Sequence, residues 1–483
     1  MSAGTDGAAA GQPLDHAAIR SIVLGIMLAM FLAALDQTIV ATALPTIGRE
    51  LRDPQHLPWV VTVYLLASTA VTPLYGKLAD IHGRRIMLLT GIGTFVVGSI
   101  ACALSPNMLT LILARALQGL GGGGLISLAQ TVVGDVIAPK ERGRYQAYIA
   151  AVFVSSSIAG PALGGAISEH LHWSVIFWIN LPLGLLAFWM TNGVLRRLPR
   201  HERPHQIDLL GAVLMVAATL QLLLALSLGG VQLPWSSPQI LTLFGGSILV
   251  WALFVLRLST ATEPLLPLTV VLNPVVAAGT GTACCAMGTF IGLSIYVPIW
   301  LQTVQGLTVS ASGFAVIALM GGTVTGATLS GRVMLHVRHY RRVPVVGLAM
   351  AAMALAVLAS RPTGLPLVGI ELLLLAIGLG LGTVLPVTTV GVQNAVPLHQ
   401  LGTATATMNF FRALGGAITV AAYGAILAGH AGGGQLTDQE ALVAGFRWIF
   451  LAGGLGLTAG LVCLLRMEER PLRSTVASAD DQS

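Results

Sequence analysis

Four charged side chains stand inside long apolar runs: Asp36, Arg115, Glu371 and Arg412. A charge embedded in hydrocarbon costs about 2.5–3.5 kcal/mol on insertion scales, so each needs a partner or a wet cavity. Asp36 is a carboxyl that can bind and release a proton, with Arg115 as the guanidinium that tunes it. Burial favours a neutral carboxyl and a nearby cation favours the carboxylate, so a moving balance of the two makes a proton carrier. The plain alternative is a structural ion pair. Arg412 either lines a cavity or bonds a neighbouring helix, and Glu371 is an interfacial acid or a second protonation site. No other chemistry is legible. Cys102, Cys284, Cys285 and Cys463 lack metal-ligand spacing. Glu169, His170 and His172 fall in an expected polar loop, and no nucleotide-binding loop is present. The expectation is no metal, no cofactor except protons as coupling ion, and no enzyme.

The elements that must hold these residues follow from composition. Of 483 residues, 55% are hydrophobic and 9% charged, and the mean hydropathy is +0.83. Soluble domains carry about a quarter charged residues, so a soluble enzyme is excluded. High apolar content excludes disorder. The net charge of +6 does not imply nucleic acid, because the 25 Lys+Arg are spread along the chain. The apolar runs are too long, and alternate too little, for barrel strands of roughly 10 residues. They read as membrane helices, which pair every backbone amide internally. Fourteen such segments are counted, the first at about 20–45 and the last at about 444–466.

Basic residues orient the spans. With the N-terminus in the cytoplasm, 19 of the 25 basic residues fall inside and four outside, with Arg115 and Arg412 within spans. Asp36 lies roughly eight residues before the outer end of span one, and Arg115 roughly eight after the outer start of span four. Both are then about 12 Å below the outer surface and can face each other. An internal repeat supports two halves: "ALGGAI" occurs at Ala162–Ile167 and again at Ala413–Ile418. The expected architecture is all-α and integral to the membrane. Two pseudo-symmetric six-helix bundles, 19–206 and 259–467, flank two inserted helices at 207–258. A disordered cytoplasmic N-terminus (1–18) and a cytoplasmic tail (468–483) complete it. Two six-helix halves around a midplane site are a transporter design.

Several motifs occupy matching places. The turn after span two reads "GKLADIHGRR". Gly76 and Gly83 permit a tight turn, Asp80 can cap or face a helix N-terminus, and Arg84 and Arg85 hold the loop at the anionic leaflet. Span four holds "RALQG" from Arg115, and span five "AGPALGG", with Gly160, Pro161 and Gly164. Small residues there allow close helix contact. Span one carries "LDQTIVATALP" from Leu35, span six begins "WSVIFWINLPLG" from Trp173, and "IDLLG" starts at Ile207. Together these resemble the major facilitator superfamily, and in particular its drug:proton antiporter branch with fourteen transmembrane helices. The resemblance implies multidrug-type efflux, with Asp36 and Arg115 in proton coupling and the glycine motifs in conformational change. Three departures stand out. His82 replaces a frequent arginine, the second-half copy of the turn from Gly331 has lost its acid, and span thirteen has Asn409 and Arg412 but no carboxylate. The missing acid argues against divalent-cation cargo.

Gln37, Phe153, Asn180, Phe290, Tyr296, Trp300, Asn409, Phe410 and Arg412 are the candidate cavity residues. Their aromatic area suits flat apolar or cationic molecules. The leading expectation is export of amphipathic, monocationic or neutral compounds in exchange for protons. The expected setting is a bacterial cytoplasmic membrane, with the protein monomeric and partnered only by substrate, protons and lipid. The competing expectation keeps the fold and exports an endogenous metabolite, lipid or antibiotic, including anionic ones. A membrane scaffold or enzyme ranks last.

Overall fold

The computed structural model describes residues 16–196, 208–337, 339–430 and 439–472. Sixteen α-helices and one 3-10 turn (Leu398–Gln400) occur among them, and fourteen apolar spans result. The first half holds α1 (His16–Glu50), α2 (Leu57–His82), α3 (Arg84–Ala103), α4 (Met108–Val136), α5 (Pro139–His170), the short α6 (Val175–Trp178) and α7 (Asn180–Leu195). Next come α8 (Leu209–Leu228) and α9 (Pro238–Thr260). The second half holds the short α10 (Leu268–Val271), α11 (Pro274–Thr303), α12 (Val309–His336), α13 (Arg342–Ser360), α14 (Leu367–Asn394), α15 (Leu401–His430) and α16 (Gln439–Arg466). The N-terminal tail, expected to be disordered through residue 18, lies outside the described residues up to 15; 16–18 begin α1. Arg197, Arg200, Arg203, Ile207, Arg338 and most of the C-terminal tail also lie outside them.

Span six is one segment, Val175–Gly193, as the sequence suggested, with a break at Ile179 that divides it into α6 and α7. Pro182 has no N–H to offer the carbonyl four residues back, which interrupts the ladder there. Gly83 joins α2 to α3 with φ +90°, a left-handed conformation that only glycine adopts without strain. Asn107 and Thr110 form a reciprocal cap on α4.

Apolar packing divides by halves. One core runs through α11–α16, including Leu319, Leu355, Leu381 and Phe450. Two others lie in α1–α7, around Phe95 and Leu128 and around Val40 and Phe177. A smaller cluster joins Leu66 of α2, Leu223 of α8, and Phe410 and Leu414 of α15. The inserted pair therefore rests where the two halves meet. Side chains such as Val97, Leu249, Phe314 and Leu455 project outward, as lipid-facing residues must.

Within lipid, helices gain little from apolar burial against one another, so close backbone approach matters more. A clear example is α12 against α14, where Gly322 and Gly326 face Gly378 and Gly382. A Cβ on Gly378 would stand 2.1 Å from the Leu319 carbonyl oxygen, and one on Gly382 2.1 Å from that of Thr323. Gly321, one residue from Gly322, has nothing within 4 Å of its Cβ position. Overpacking of this kind costs about 1–3 kcal/mol. Gly378→Ala is expected to lower the melting temperature of the detergent-purified protein by several degrees. Gly321→Ala should leave it unchanged or slightly raised, through helix propensity. Equal melting of the two variants would contradict this packing.

Candidate functional site

Asp36 and Arg115 meet at 2.6 Å, at 0% and 1% side-chain exposure. Five spans build the node. Asp36 comes from α1, and its Oδ2 accepts from the Arg115 guanidinium of α4. Its Oδ1 accepts from Gln118 Nε2 of α4 at 2.8 Å and from Asn180 Nδ2 of α7 at 2.9 Å. Both amides also donate to the Ser99 hydroxyl of α3, at 2.7 and 3.2 Å. Arg115 further donates to the Val60 carbonyl of α2 at 3.0 Å and to Gln118 Oε1 at 2.5 Å. Its guanidinium lies 4.3 Å from the centre of the Tyr64 ring. The carboxylate thus meets three donors, and the arginine keeps a carbonyl, an amide oxygen and a ring face besides the acid. That is how a buried pair meets its desolvation cost.

The node is keyed to span five. Thr38, two residues beyond Asp36, donates to the Ser156 carbonyl of α5 at 2.9 Å. A Cβ on Gly160 would fall 2.0 Å from Thr38 Oγ1, and one on Gly164 2.1 Å from Thr42 Oγ1. Gly160 and Gly164 are therefore places where α1 and α5 touch. Pro161, beside them, is exposed within α5.

A second constellation joins the halves at the end that carries the Gly76–Arg85 turn. Asp80 accepts from the backbone N–H groups of Gly402 and Thr403, at 3.0 and 2.7 Å, and from the Thr403 hydroxyl at 2.6 Å. Those amides open α15, so an acid of one half caps a helix of the other. Arg84 pairs with Asp80, bonds Asp135 at 3.0 Å and reaches the Leu398 carbonyl at 3.3 Å. Arg85 differs: it binds Asn192 Oδ1 of α7, at 2.6 Å, and stays within its own half. Close backbone contact completes this end. A Cβ on Gly76 would meet Ala406 Cβ at 2.4 Å, and one on Gly331 would meet the Gly143 carbonyl oxygen at 2.2 Å. Deeper in the seam, Gln393 of α14 donates to the Gln130 carbonyl of α4, and Asn409 of α15 donates to Gln130 Oε1 at 2.7 Å.

The structure disperses the nine residues expected to line one cavity. Asn180 belongs to the Asp36 node. Gln37 follows Asp36 in α1 and lies near the Tyr64 hydroxyl. Asn409 and Arg412 lie at or beside the seam, where Arg412 bonds Asn409, Thr388 and Thr389. Phe153 packs onto the first-half core and Phe290 onto the second-half core. Tyr296 donates to the Val420 carbonyl and packs edge-on to Tyr423, inside the second half. Trp300 is fully buried, donates to the Pro362 carbonyl and packs against Phe450. Phe410 is buried toward the inserted pair, 6.2 Å from the Trp251 ring centre. Trp300, Tyr296 and Phe410 are thus packing residues here, because their helix faces turn into a bundle or onto α9. The sequence reading missed Gln118, Ser99, Tyr64, Gln130 and Gln393. Gln118 was findable, one turn after Arg115 on the same face; a lone Ser99 in an apolar helix gave no signal. Of the trio expected in a loop, Glu169 and His170 instead end α5, and His172 pairs with Glu50 at 3.1 Å. No group of three or more metal-ligand side chains gathers among the described residues.

Two helical halves meeting at a polar seam, with a buried acid in one of them, define a polytopic membrane transporter. The chain belongs to the Major Facilitator Superfamily, whose model matches residues 26–420. It is 32% identical over 424 residues to the "Multidrug transporter protein MdtP" of Bacillus subtilis (strain 168), covering 86% of this chain and 77% of that one. It is 33% identical over 422 residues to the "Efflux pump dotC" of Dothistroma septosporum (strain NZE10 / CBS 128990), covering 86% and 72%. Among solved structures, that of the human organic anion transporter MFSD10 (TETRAN) superposes with a TM-score of 0.63 at 17% identity, over 91% of this chain and 99% of the other. That last likeness concerns the fold alone.

The Asp80 cap is expected to set how firmly this end of the seam is closed. A hydrogen bond to a charged group contributes about 1.5–3 kcal/mol, and about 1.4 kcal/mol is a tenfold population shift. Asp80→Asn is expected to loosen the seam. With Cys102, Cys284, Cys285 and Cys463 removed, a reporter Thr405→Cys, buried beneath Gln393, should react with a hydrophilic maleimide at least several-fold faster in the Asp80→Asn protein. Unchanged labelling would show that the cap does not hold the seam.

Proposed function

We propose that the protein is a proton-coupled exporter that exchanges inward protons for outward amphipathic small molecules by alternating access. The observation that carries this reading is Asp36, a fully buried carboxylate whose helix is keyed into α5 while α5 packs across the seam on α12. Asp36 accepts from donors on both oxygens, an arrangement that fits the carboxylate. A proton added at either oxygen competes with a donor already there, so in this reading protonation loosens the node. Arg115 keeps Val60, Gln118 and the Tyr64 ring when the acid is neutral, which suits a tuner rather than a carrier. Movement of α1 is passed to α5 through Gly160 and Gly164. From α5 it reaches α12 at the Gly143–Gly331 contact.

In this reading both termini and the Asp80 cap face the cytoplasm of a bacterium, as the basic residues imply. The structure then has its inner end closed by the Asp80 cap and the Gly76 and Gly143 contacts. The proton-motive force supplies about 2.3 kcal/mol per charge per 100 mV, plus the pH gradient. One buried acid in the first half makes one proton per cycle the default stoichiometry.

Asp36→Asn is the decisive variant. It leaves Arg115 without its counter-charge, a change worth about 3–5 kcal/mol in a buried pair, so folding must be measured alongside. In everted vesicles, dye-dependent proton movement is expected to vanish in this variant while the protein remains in the membrane. Asp36→Glu, which keeps an acid, should retain a fraction of it. Proton-driven efflux that survives in Asp36→Asn would sink the assignment and leave the node as a structural ion pair.

A further inference from the structure

Three buried arginines lie among the described residues, and their surroundings differ. Arg115 has Asp36. Arg142 bonds the Gly134 and Ile137 carbonyls at the end of α4, where the helix dipole is negative. Arg412 has neither. It is 6% exposed and donates only to neutral oxygens: Thr389 Oγ1 at 2.9 Å, Thr388 Oγ1 at 3.2 Å and Asn409 Oδ1 at 3.1 Å. Its Nε has no hydrogen-bond partner.

The acids near the spans are engaged elsewhere or remote. Asp36 is held by Arg115, Asp80 and Asp135 by Arg84, and Asp208 by Arg257. Glu371 shares α14 with Thr388 but stands about 26 Å away along the helix axis. Asn409, one turn from Arg412, reaches across the seam to Gln130 of the first half. The unpaired cation therefore stands beside the junction where an alternating-access transporter takes its cargo.

We propose that Arg412 anchors a subsite for the single anionic group, a carboxylate or sulfonate, of an amphipathic cargo. This rests on the export reading and fixes the charge of the cargo, in place of the monocationic or neutral class that the aromatic residues suggested. The guanidinium is planar, and its free Nε shares an edge with Nη2, so an anion there takes the Nε donor and displaces a threonine hydroxyl from Nη2. Thr388, Thr389 and Asn409 orient it without neutralising it. An entering anion would supply the missing counter-charge at a place where water is scarce and the interaction strong. A cationic cargo would meet an uncompensated like charge.

The test is binding to purified protein in detergent, followed by fluorescence polarisation with two xanthene dyes of similar size. Fluorescein carries the carboxylate and rhodamine 123 is a cation. Fluorescein should bind the wild type and be displaced by naphthalene-2-sulfonate but not by naphthalene-2-sulfonamide. Arg412→Gln, which can still bond the threonines and Asn409, should weaken fluorescein at least tenfold. Arg412→Lys should weaken it several-fold less, because charge remains and the fork is lost. Rhodamine 123 should not weaken in either, and in Arg412→Gln, which lifts the like charge, it should bind as well as or better than in the wild type. Equal fluorescein affinity in all three proteins would overturn the subsite. So would equal loss of both dyes in a variant that melts like the wild type, and so would a wild type that binds neither anion. Should Arg412→Gln fail to fold, displacement from the wild type by the sulfonate and not by the sulfonamide still decides. Binding needs no proton gradient, so loss of the anion effect with dye-dependent proton movement intact would remove the subsite and leave the antiport reading standing.

Discussion

Hydrocarbon tolerates neither an unpaired charge nor an unpaired backbone group. That constraint shapes most of what is seen here. It makes every span a helix, and it makes helix contacts depend on glycine, since apolar side chains gain little by leaving lipid. It also explains why Asp36 does not stand alone. Five spans contribute to its neighbourhood, and Arg115 is held by partners from α1, α2 and α4 at once. Where the constraint is met by ligands from so many helices, those helices cannot move independently. The node ties the first half into a body that can rock as a unit.

The halves are related but not equivalent. The first keeps the acidic turn, and Asp80 uses it to cap a helix of the second. The second-half turn, beginning at Gly331, has lost its acid yet keeps its glycine, which packs on Gly143. One side of the seam is thus closed by a charged cap that can be broken, and the other by close packing of Gly143 on Gly331. The buried charges show the same asymmetry. The first half holds a compensated acid, and α15 of the second an uncompensated base. On the proposed reading, proton chemistry and cargo charge are handled by different halves.

How much was legible depended on whether a residue's role was set by depth and spacing or by which way a helix faced. Counting residues from the span ends placed Asp36 opposite Arg115. The glycine spacing and the acid of the Gly76–Arg85 turn pointed to a capped helix. The fourteen spans and the all-helical fold followed from run length. The aromatic residues were a different case. Helices buried in lipid and protein alike are apolar all round, so no moment shows which side faces the centre. Trp300 and Phe290 turned into the second-half core and Phe410 turned toward α9. Gln130 and Gln393 escaped notice because a neutral amide in an apolar run is ordinary until its partner across the seam is known.

The inserted pair follows from the same geometry. Asp208 caps α8 and pairs with Arg257 of α9, so the two helices are pinned together at one end. Ser247 of α9 donates to the Ala218 carbonyl of α8 and pins them again. This unit rests on both α2 and α15 through Leu66, Leu223, Phe410 and Leu414. It therefore covers the line where the halves part. If α2 and α15 separate when the Asp80 cap breaks, α8 must follow one of them and shear past the other. Leucine and phenylalanine surfaces suit that contact, because sliding them breaks no hydrogen bond. Among the described residues the two ties, Asp208–Arg257 and Ser247–Ala218, run between the helices of the pair, which leaves the seam free to open beneath a cover that stays whole.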